Sequence, residues 1–234
     1  MSAGEPRVAV VTGANRGIGL EVCRQLAEHG MTVILTSRDR RRGEAAAMSL
    51  ADRGLNVRAQ PLDVTDSVSV ERFAGWARAH LGRVDVLVNN AAIDYDTDQR
   101  ATAADLARVE RAWQTNTLGP WRVTLALLPL LRAGTHARIV NVSSGAGSIS
   151  EIGPGTPAYR VTKAALNALT RILAAELRGE RIVVNAVCPG WTATEMGGGG
   201  RPVAAGAASV VWAALLDDDG PAGGFFRDGE ALPW

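Results

Sequence analysis

Lysine is almost missing from this chain. Of the 25 basic residues among 234, 24 are arginine and a single one, Lys163, is lysine. An arginine-rich coding bias explains the missing lysines but not the one that remains. Arginine can replace lysine on a solvated surface, whereas a planar guanidinium cannot replace a compact ammonium held between two partners. Lys163 is therefore a candidate functional residue before any motif is considered.

Cysteine and histidine are also scarce. The two cysteines, Cys23 and Cys188, lie far apart without a CxxC pair, and the three histidines are isolated. Such spacing excludes a disulfide framework and a zinc module as the basis of the fold. The sequence therefore predicts no metal site.

Neither an excess of charge nor a long apolar run is present. Twenty-five basic and 24 acidic residues give a net charge of +1, so we expect no nucleic-acid partner. The longest apolar run, residues 123–131, contains Pro129 and is far shorter than the roughly 18–20 residues that span a bilayer. The start of the chain lacks the apolar stretch of a signal peptide. These features predict a cytoplasmic protein without a membrane partner.

Short apolar runs alternate with longer amphipathic ones along the whole chain. The apolar runs predict strands at residues 7–12, 31–36, 55–61, 84–89, 138–143 and 182–188, with a short last strand at 224–227. The amphipathic stretches predict helices that end near residue 28 and cover 41–52, 67–80, 102–131, 158–178 and 203–216. We expect Asp66 to cap the third helix and the fourth helix to break near residues 116–120.

This alternation is typical of one α/β domain. Strands rich in valine and isoleucine that are separated by helices pair in parallel and are covered on both faces. We therefore expect residues 1–234 to form a single Rossmann-like doubly wound domain, with a mostly or wholly parallel sheet of about seven strands. Ligands bind such sheets outside the carboxyl ends of the strands, where the strand order reverses.

A glycine-rich turn follows the first predicted strand, where residues 12–19 read TGANRGIG. Glycines at the start of a helix let backbone N–H groups approach a pyrophosphate, which the helix dipole also favours. The GxxxGxG spacing alone is a weak signal, but its place between the first strand and the first helix strengthens it. The turn residues expected to bind a dinucleotide are Gly13, Asn15, Arg16, Gly17, Ile18 and Gly19.

The residues after the second and third strands bear on the choice of cofactor. Arg38, together with Arg16, favours the 2′-phosphate of NADP, whereas Asp39 leaves NAD open because an acidic residue there binds the ribose 2′-hydroxyl. After the third strand, Asp63 and Val64 are candidates for contact with the adenine, although a plain turn aspartate explains Asp63 as well.

The single lysine lies four residues after Tyr159, on the same face of a predicted helix. A free phenol has a pKa near 10, too high for efficient proton transfer at neutral pH. A nearby ammonium favours the phenolate, so we expect Lys163 to lower the pKa of Tyr159. Ser143, at the end of the fifth strand, could bind the same reacting oxygen.

Together these motifs resemble the short-chain dehydrogenase/reductase family over about residues 7–229. The resemblance rests on the glycine-rich loop, the segment Asn89-Asn90-Ala91, Asn116, Ser143, the YxxxK pair and Pro189-Gly190. Within the family, the residues TSRD at 36–39 and the ending GFFRDG at 224–229 are most similar to NADPH-dependent carbonyl reductases.

The resemblance implies roles for individual residues. The catalytic set would be Asn116, Ser143, Tyr159 and Lys163, with Asn116 on a water-linked proton path and Lys163 also on the nicotinamide ribose. Further cofactor contacts would come from Asn90 and Ala91, and from Pro189, Gly190, Thr192 and Thr194 along the nicotinamide.

Four features depart from the family pattern. Ala92 stands where glycine is usual, and 15 residues separate Ser143 from Tyr159, slightly more than usual. The loop after Thr194 is short and glycine-rich, and the long insertion of monomeric animal carbonyl reductases is missing. These changes do not affect the residues expected to carry the chemistry. They leave undetermined which substrate binds and how the pocket is closed.

The sequence thus predicts an NADP(H)-dependent oxidoreductase that reversibly reduces a small ketone or aldehyde to an alcohol. The alternatives are an NAD-dependent alcohol dehydrogenase, a reductase of carrier-bound 3-oxoacyl chains, and a non-catalytic dinucleotide sensor. We also expect a homodimer or homotetramer, because the helices predicted at about 103–131 and 158–178 carry more apolar residues than one sheet face would cover. The apolar residues concerned are Leu118, Trp121, Leu125, Leu166 and Leu169.

Overall fold

The structure, a computed structural model, describes residues 6–93 and 95–234. Its strands are β1 (Val8–Val11), β2 (Thr32–Ser37), β3 (Val57–Pro61), β4 (Val86–Asn89), β5 (Arg138–Val142), β6 (Val183–Val187), β7 (Phe225–Arg227) and β8 (Glu230–Ala231). Its α-helices are α1 (Gly17–Glu28), α2 (Arg40–Ala51), α3 (Ser67–His80), α4 (Leu106–Trp113), α5 (Gly119–Ala133), α6 (Pro157–Leu177) and α7 (Val203–Ala214).

The strands of the described ranges form one sheet in the order β3-β2-β1-β4-β5-β6-β7-β8. All neighbours from β3 to β7 run parallel, and β7 pairs with β8 antiparallel. The predicted mostly parallel α/β sheet is confirmed. The extra strand β8 has two residues, too few to show a period in the sequence. The order reverses between β1 and β4, which opens a crevice at the carboxyl ends of these strands.

Helices cover both faces of the sheet. On one face α3, α5 and α6 pack around Phe73, Leu127 and Leu166, and on the other α1, α2 and α7 pack around Leu26, Leu50 and Val210. The central strands are buried on both sides, which explains their nearly continuous runs of valine, leucine and isoleucine. This burial holds the loops at the carboxyl ends of the strands in fixed positions.

Three of the first four helices begin with an aspartate cap. Asp39, Asp66 and Asp105 each accept a hydrogen bond from a backbone N–H in the first turn of α2, α3 and α4. The predicted cap at Asp66 is confirmed, and Asp39 is the N-cap of α2. Among the described residues, no side chain caps α1, whose first turn follows the glycine-rich loop.

The break predicted near residues 116–120 is a change of helix type and not an end of the helix. After a 3₁₀ turn at Ala101–Ala103 the chain stays helical from Leu106 to Ala133. The irregular part is a π-helical segment, Gln114–Leu118, which passes into α5 without interruption. Pro120, which has no N–H to donate, lies at the start of α5, directly after the irregular π segment. The π segment carries Asn116.

Two of the residues expected on an apolar surface are buried instead. Leu166 and Leu169 are 0 % and 4 % exposed and belong to the core beneath the sheet, so they cannot contribute to contacts between chains. Trp121 and Leu125, one turn apart on α5, do reach solvent. Within the described ranges, every helix is too short or too polar to span a bilayer.

Candidate active site

A pocket of about 260 Å³ is lined by residues that follow each of the strands β1 to β6 and by residues of α1 and α6. Most residues predicted to bind the cofactor or to act in catalysis line it. They are Gly13, Asn15, Arg16, Gly17, Ile18, Gly19, Arg38, Asp63, Val64, Asn90, Ala91, Ser143, Tyr159, Lys163, Pro189 and Thr194. The fold thus brings together residues that are spread over most of the chain.

The glycine-rich loop packs directly on the loop after β4. A Cβ atom on Gly13 would lie 2.8 Å from the Ala91 Cα, and a Cβ atom on Gly19 would collide with the Asn90 side chain. Gly13 also has a φ of +60°, a left-handed conformation that favours glycine. The Thr12 hydroxyl accepts hydrogen bonds of 3.0 Å from the backbone N–H groups of Asn90 and Ala91. Two glycines are therefore required by packing alone.

Several charged side chains line the pocket. Arg38 lines it directly after β2, whereas the neighbouring Asp39 caps α2 through a hydrogen bond of 3.1 Å from the Arg42 N–H. Arg16 forms an ion pair with Glu195, a pocket residue from the loop after β6. Arg16, one of the two arginines predicted to bind a 2′-phosphate, therefore has an acidic partner that no sequence pattern indicated.

Lys163 and Tyr159 lie on the same face of α6, as predicted. Lys163 is 2 % exposed, its Nζ lies 5.7 Å from the centroid of the Tyr159 ring, and it donates a hydrogen bond of 2.7 Å to the Val142 carbonyl. Burial lowers the pKa of the lysine to about 8. The ammonium is held between the end of β5 and the phenol.

The predicted lowering of the Tyr159 pKa is not what the structure gives. Burial raises the pKa of this phenol to about 12, and a hydrogen bond with Ser144 acts in the opposite direction. The cost of burying a phenolate therefore exceeds any attraction to the ammonium. At neutral pH the Tyr159 side chain is a protonated hydroxyl.

Ser143 carries a polar atom without a protein partner. Its side chain is 2 % exposed, and its Oγ makes no hydrogen bond among the described residues. An unsatisfied buried hydroxyl costs free energy, so it marks a place where a ligand oxygen or a water molecule would bind. Ser143 and Tyr159, each of which carries a hydroxyl group, both line the pocket.

Asn116 does not line the pocket. It is 0 % exposed, and its Oδ1 accepts a hydrogen bond of 2.9 Å from the Ile93 N–H. Its Nδ2 donates to the Ile93 carbonyl and to the Thr162 Oγ1, at 3.0 and 3.1 Å. Asn116 thus ties the pocket-lining Ile93 to α6, and its predicted place on a proton path stays a prediction.

Gly190 and Thr192 also lie outside the pocket lining. The Thr192 hydroxyl donates to the carbonyls of Pro189 and Gly190, and so holds the turn after β6. The Gly190 N–H donates to the Cys188 Sγ, which also accepts a hydrogen bond from Arg227. These residues shape the loop that carries Pro189 and Thr194, which do line the pocket.

Ala92, singled out in the sequence as a departure from the family pattern, also lines the pocket. The pocket residues that the sequence analysis did not identify are Leu62, Thr65, Ile93, Thr115, Val142, Glu195 and Met196. Each is next to, or within two residues of, a predicted site residue. Adjacency along the chain was the signal that could have found them. Within the described ranges, no three His, Cys, Asp or Glu side chains lie close enough to hold a metal ion.

Comparison with known proteins identifies the family. The profile of the short chain dehydrogenase family matches residues 7–202. The chain belongs to this family. It is 35 % identical to carbonyl reductase [NADPH] 1 of Sus scrofa, over 97 % of this chain and 94 % of the relative. It is also 35 % identical to short-chain dehydrogenase/reductase 1 of Saponaria officinalis, over 98 % and 97 %.

Solved structures agree with this assignment to the short-chain dehydrogenases. An NADPH-bound carbonyl reductase from chicken fatty liver has a TM-score of 0.88 and 30 % identity, over 98 % of this chain and 99 % of that one. Salutaridine reductase from Papaver somniferum has a TM-score of 0.85 and 32 % identity, over 95 % and 99 %. The oxidoreductase fold of the family therefore covers nearly the whole chain.

The relatives are longer than this chain. The alignments to the Sus scrofa and Saponaria officinalis proteins span 276 and 295 positions, against 234 residues here. Both relatives therefore carry residues without a counterpart in this short-chain dehydrogenase.

Proposed function

We propose that the protein catalyses the reversible, NADPH-dependent reduction of a small ketone or aldehyde to an alcohol. The observation that carries the proposal is the unpartnered, buried Ser143 Oγ in the same pocket as the protonated Tyr159 hydroxyl. Two hydroxyl donors in one pocket suit a carbonyl oxygen that gains negative charge as it is reduced. A non-catalytic dinucleotide sensor has no chemical use for this pair.

The residues of the pocket fit a nicotinamide dinucleotide. Gly13 and Gly19 admit no side chain, and the uncapped first turn of α1 leaves N–H groups free for a pyrophosphate. The buried ammonium of Lys163 is available to ribose hydroxyls, and Thr194 is within reach of the glycine-rich loop at Gly17. When bound, the nicotinamide supplies the hydride of the reduction.

The chain's own residues would manage the proton. Tyr159 holds its proton at neutral pH and would give it to the oxygen of the substrate. Because burial raises the pKa of this phenol to about 12, the transfer depends on groups that stabilise the phenolate. Ser143 would hold the same oxygen by a hydrogen bond. Lys163, 5.7 Å from the ring centroid, would favour the phenolate that remains after the proton has left.

Arg38 supports NADP over NAD. It lines the pocket after β2, the position where a basic residue accommodates a 2′-phosphate. The alternative cofactor, NAD, was left open by Asp39, but the carboxylate of Asp39 accepts a hydrogen bond from the first turn of α2. A carboxylate used as a helix cap is less available to a ribose hydroxyl. Two relatives also support NADP, since one is named carbonyl reductase [NADPH] 1 and the other is an NADPH-bound carbonyl reductase.

The test is NADPH oxidation, followed at 340 nm over a panel of ketones and aldehydes, with NADH in parallel. We expect oxidation with at least one carbonyl and a clear preference for NADPH. Arg38→Asp should lower kcat/KM for NADPH by about 10- to 100-fold, the scale of a charged hydrogen bond. Arg41→Asp, the same charge change on an exposed residue of α2 that does not line the pocket, is the matched control.

Two results would contradict the proposal in different ways. A parent enzyme that prefers NADH would overturn the assignment of Arg38 and favour an NAD-dependent dehydrogenase. A protein that binds NADPH but reduces no carbonyl, including a carrier-bound 3-oxoacyl chain, would favour the sensor.

A further inference from the structure

The start of α6 has no cap of its own. Thr156, at the N-cap position, has a left-handed backbone (φ 46°, ψ 50°) and makes no capping bond. Its Oγ1 is buried and has no partner among the described residues. Pro157 then offers no N–H, so the first backbone donors of the helix belong to Ala158 and Tyr159. Buried backbone donors need an acceptor, and none is supplied locally.

Asp96 supplies the acceptor from a distant part of the chain. Its Oδ2 accepts a hydrogen bond of 2.9 Å from the Ala158 N–H, and its Oδ1 accepts one of 3.1 Å from the Tyr159 N–H. Asp96 is 0 % exposed and lies in the segment between β4 and α4. A carboxylate at this end of a 21-residue helix is also favoured by the helix dipole.

The neighbouring residue contacts the phenol ring. The ring of Tyr95 meets the ring of Tyr159 edge to face, with centroids 5.1 Å apart and an interplanar angle of 86°. Tyr95 also packs against Trp191, at 5.7 Å. Two consecutive residues therefore contact Tyr159: Tyr95 packs against its ring, and Asp96 binds its backbone N–H.

We propose that Asp96 is a positioning residue, which fixes the Tyr159 hydroxyl relative to Ser143 by binding the Tyr159 backbone. This inference rests on the proposed function, because the hydroxyl matters only if it transfers a proton. Displacing a reacting group by about 1 Å can cost about 100-fold in rate. A cap that served stability alone would affect folding and leave turnover unchanged.

The kinetic test compares two caps. Asp96→Ala should lower kcat by about 10- to 100-fold well below the unfolding temperature, while KM for NADPH changes less than twofold. Asp96→Asn keeps one acceptor oxygen and should recover part of that loss. Asp105→Ala removes the exposed cap of α4 and is the matched control, with kcat expected to stay at the parent value. If Asp96→Ala does not fold, Asp96→Asn is compared with Asp105→Asn.

A second measurement does not depend on activity. The chain has only two tyrosines, so labelling with 3-fluorotyrosine gives two ¹⁹F resonances, and Tyr95→Phe assigns the one from Tyr159. In the parent, we expect the Tyr159 phenol to titrate well above free 3-fluorotyrosine. In the Asp96 variant it should titrate closer to the free value, whereas Asp105→Ala should leave it unchanged.

The two measurements separate the possible failures. Parent-like kcat and a parent-like titration in the Asp96 variants would overturn the positioning role, even if NADPH-dependent reduction is established. If the parent reduces no carbonyl, the proposed function fails, and the ¹⁹F titration still decides whether Asp96 fixes Tyr159.

Discussion

Lys163 donates a hydrogen bond of 2.7 Å to the carbonyl of Val142, the residue directly before Ser143. This bond ties the only lysine of the chain to the end of β5. Lys163 is almost completely buried, and this burial lowers the pKa of its ammonium from 10.5 to about 8. A buried charge destabilises the folded protein, so the presence of Lys163 here indicates that it has a functional role in the pocket.

Replacing Lys163 by methionine should stabilise the protein and abolish turnover. Between about pH 8 and 10.5 the unfolded lysine holds a proton that the folded one has lost, so the stability of the parent rises with pH there. The gain from Lys163→Met should be about 1–3 kcal/mol at pH 7 and should vanish towards pH 10.5. Denaturant unfolding at a series of pH values measures it. A variant less stable than the parent at pH 7 would contradict the cost assigned to this lysine.

Lys163→Arg tests geometry at nearly constant charge. If the lysine only occupied a solvated helix face, this change would leave turnover as it is, since arginine serves nearly everywhere else in the chain. A planar guanidinium does not fit between the Val142 carbonyl and the Tyr159 ring. We therefore expect kcat to fall by at least about 100-fold, the scale of one general-acid contribution. An active variant with an unchanged pH profile would contradict this role.

Glu195→Gln should improve the use of NADPH. The side chain of Glu195 pairs with Arg16 at the pocket, and both are largely exposed. Such pairs contribute about 0.2–1 kcal/mol, so freeing Arg16 for a 2′-phosphate should lower KM for NADPH by up to about fivefold. KM for NADH should not change. Glu180→Gln, which breaks an exposed pair with Arg132, is the control. An increased KM for NADPH would show that Glu195 supports cofactor binding.

Association of the chain is tested by light scattering. Trp121 and Leu125 are 43 % and 56 % exposed on α5, so we expect a mass of two or four times 24.6 kDa at micromolar concentration. Leu125→Glu should reduce that mass. Met48→Glu, at another exposed apolar residue on α2, should not. A parent mass near 24.6 kDa would reject a homodimer or homotetramer.

The parts of the site that could be predicted from the sequence are the local ones. The glycine-rich motif predicted that Gly13 and Gly19 lie in a tight turn, where the structure leaves no room for a side chain. The four-residue spacing predicted that Tyr159 and Lys163 lie on one face of a helix. The alternation of strands and helices predicted the parallel sheet, because the apolar runs of the central strands are buried on both faces.

What could not be predicted depends on contacts between distant segments. Asp96 reaches α6 from more than 60 residues away, and nothing in its local sequence marks it as a cap. The sign of the Tyr159 pKa shift depends on how deeply the phenol is buried, which spacing does not reveal. Likewise, only the packed structure shows that Leu166 faces the core.

The most direct test of the proposed chemistry is a single-turnover comparison of Tyr159→Phe with the parent enzyme. Both proteins are first titrated with NADPH, and then mixed with the best carbonyl substrate while absorbance at 340 nm is followed. We expect the variant to bind NADPH like the parent, because the change removes only a hydroxyl. We also expect its rate of NADPH oxidation to fall by at least about 100-fold, because the proton donor is lost. Parent-like oxidation by Tyr159→Phe would contradict the central claim that Tyr159 protonates the substrate.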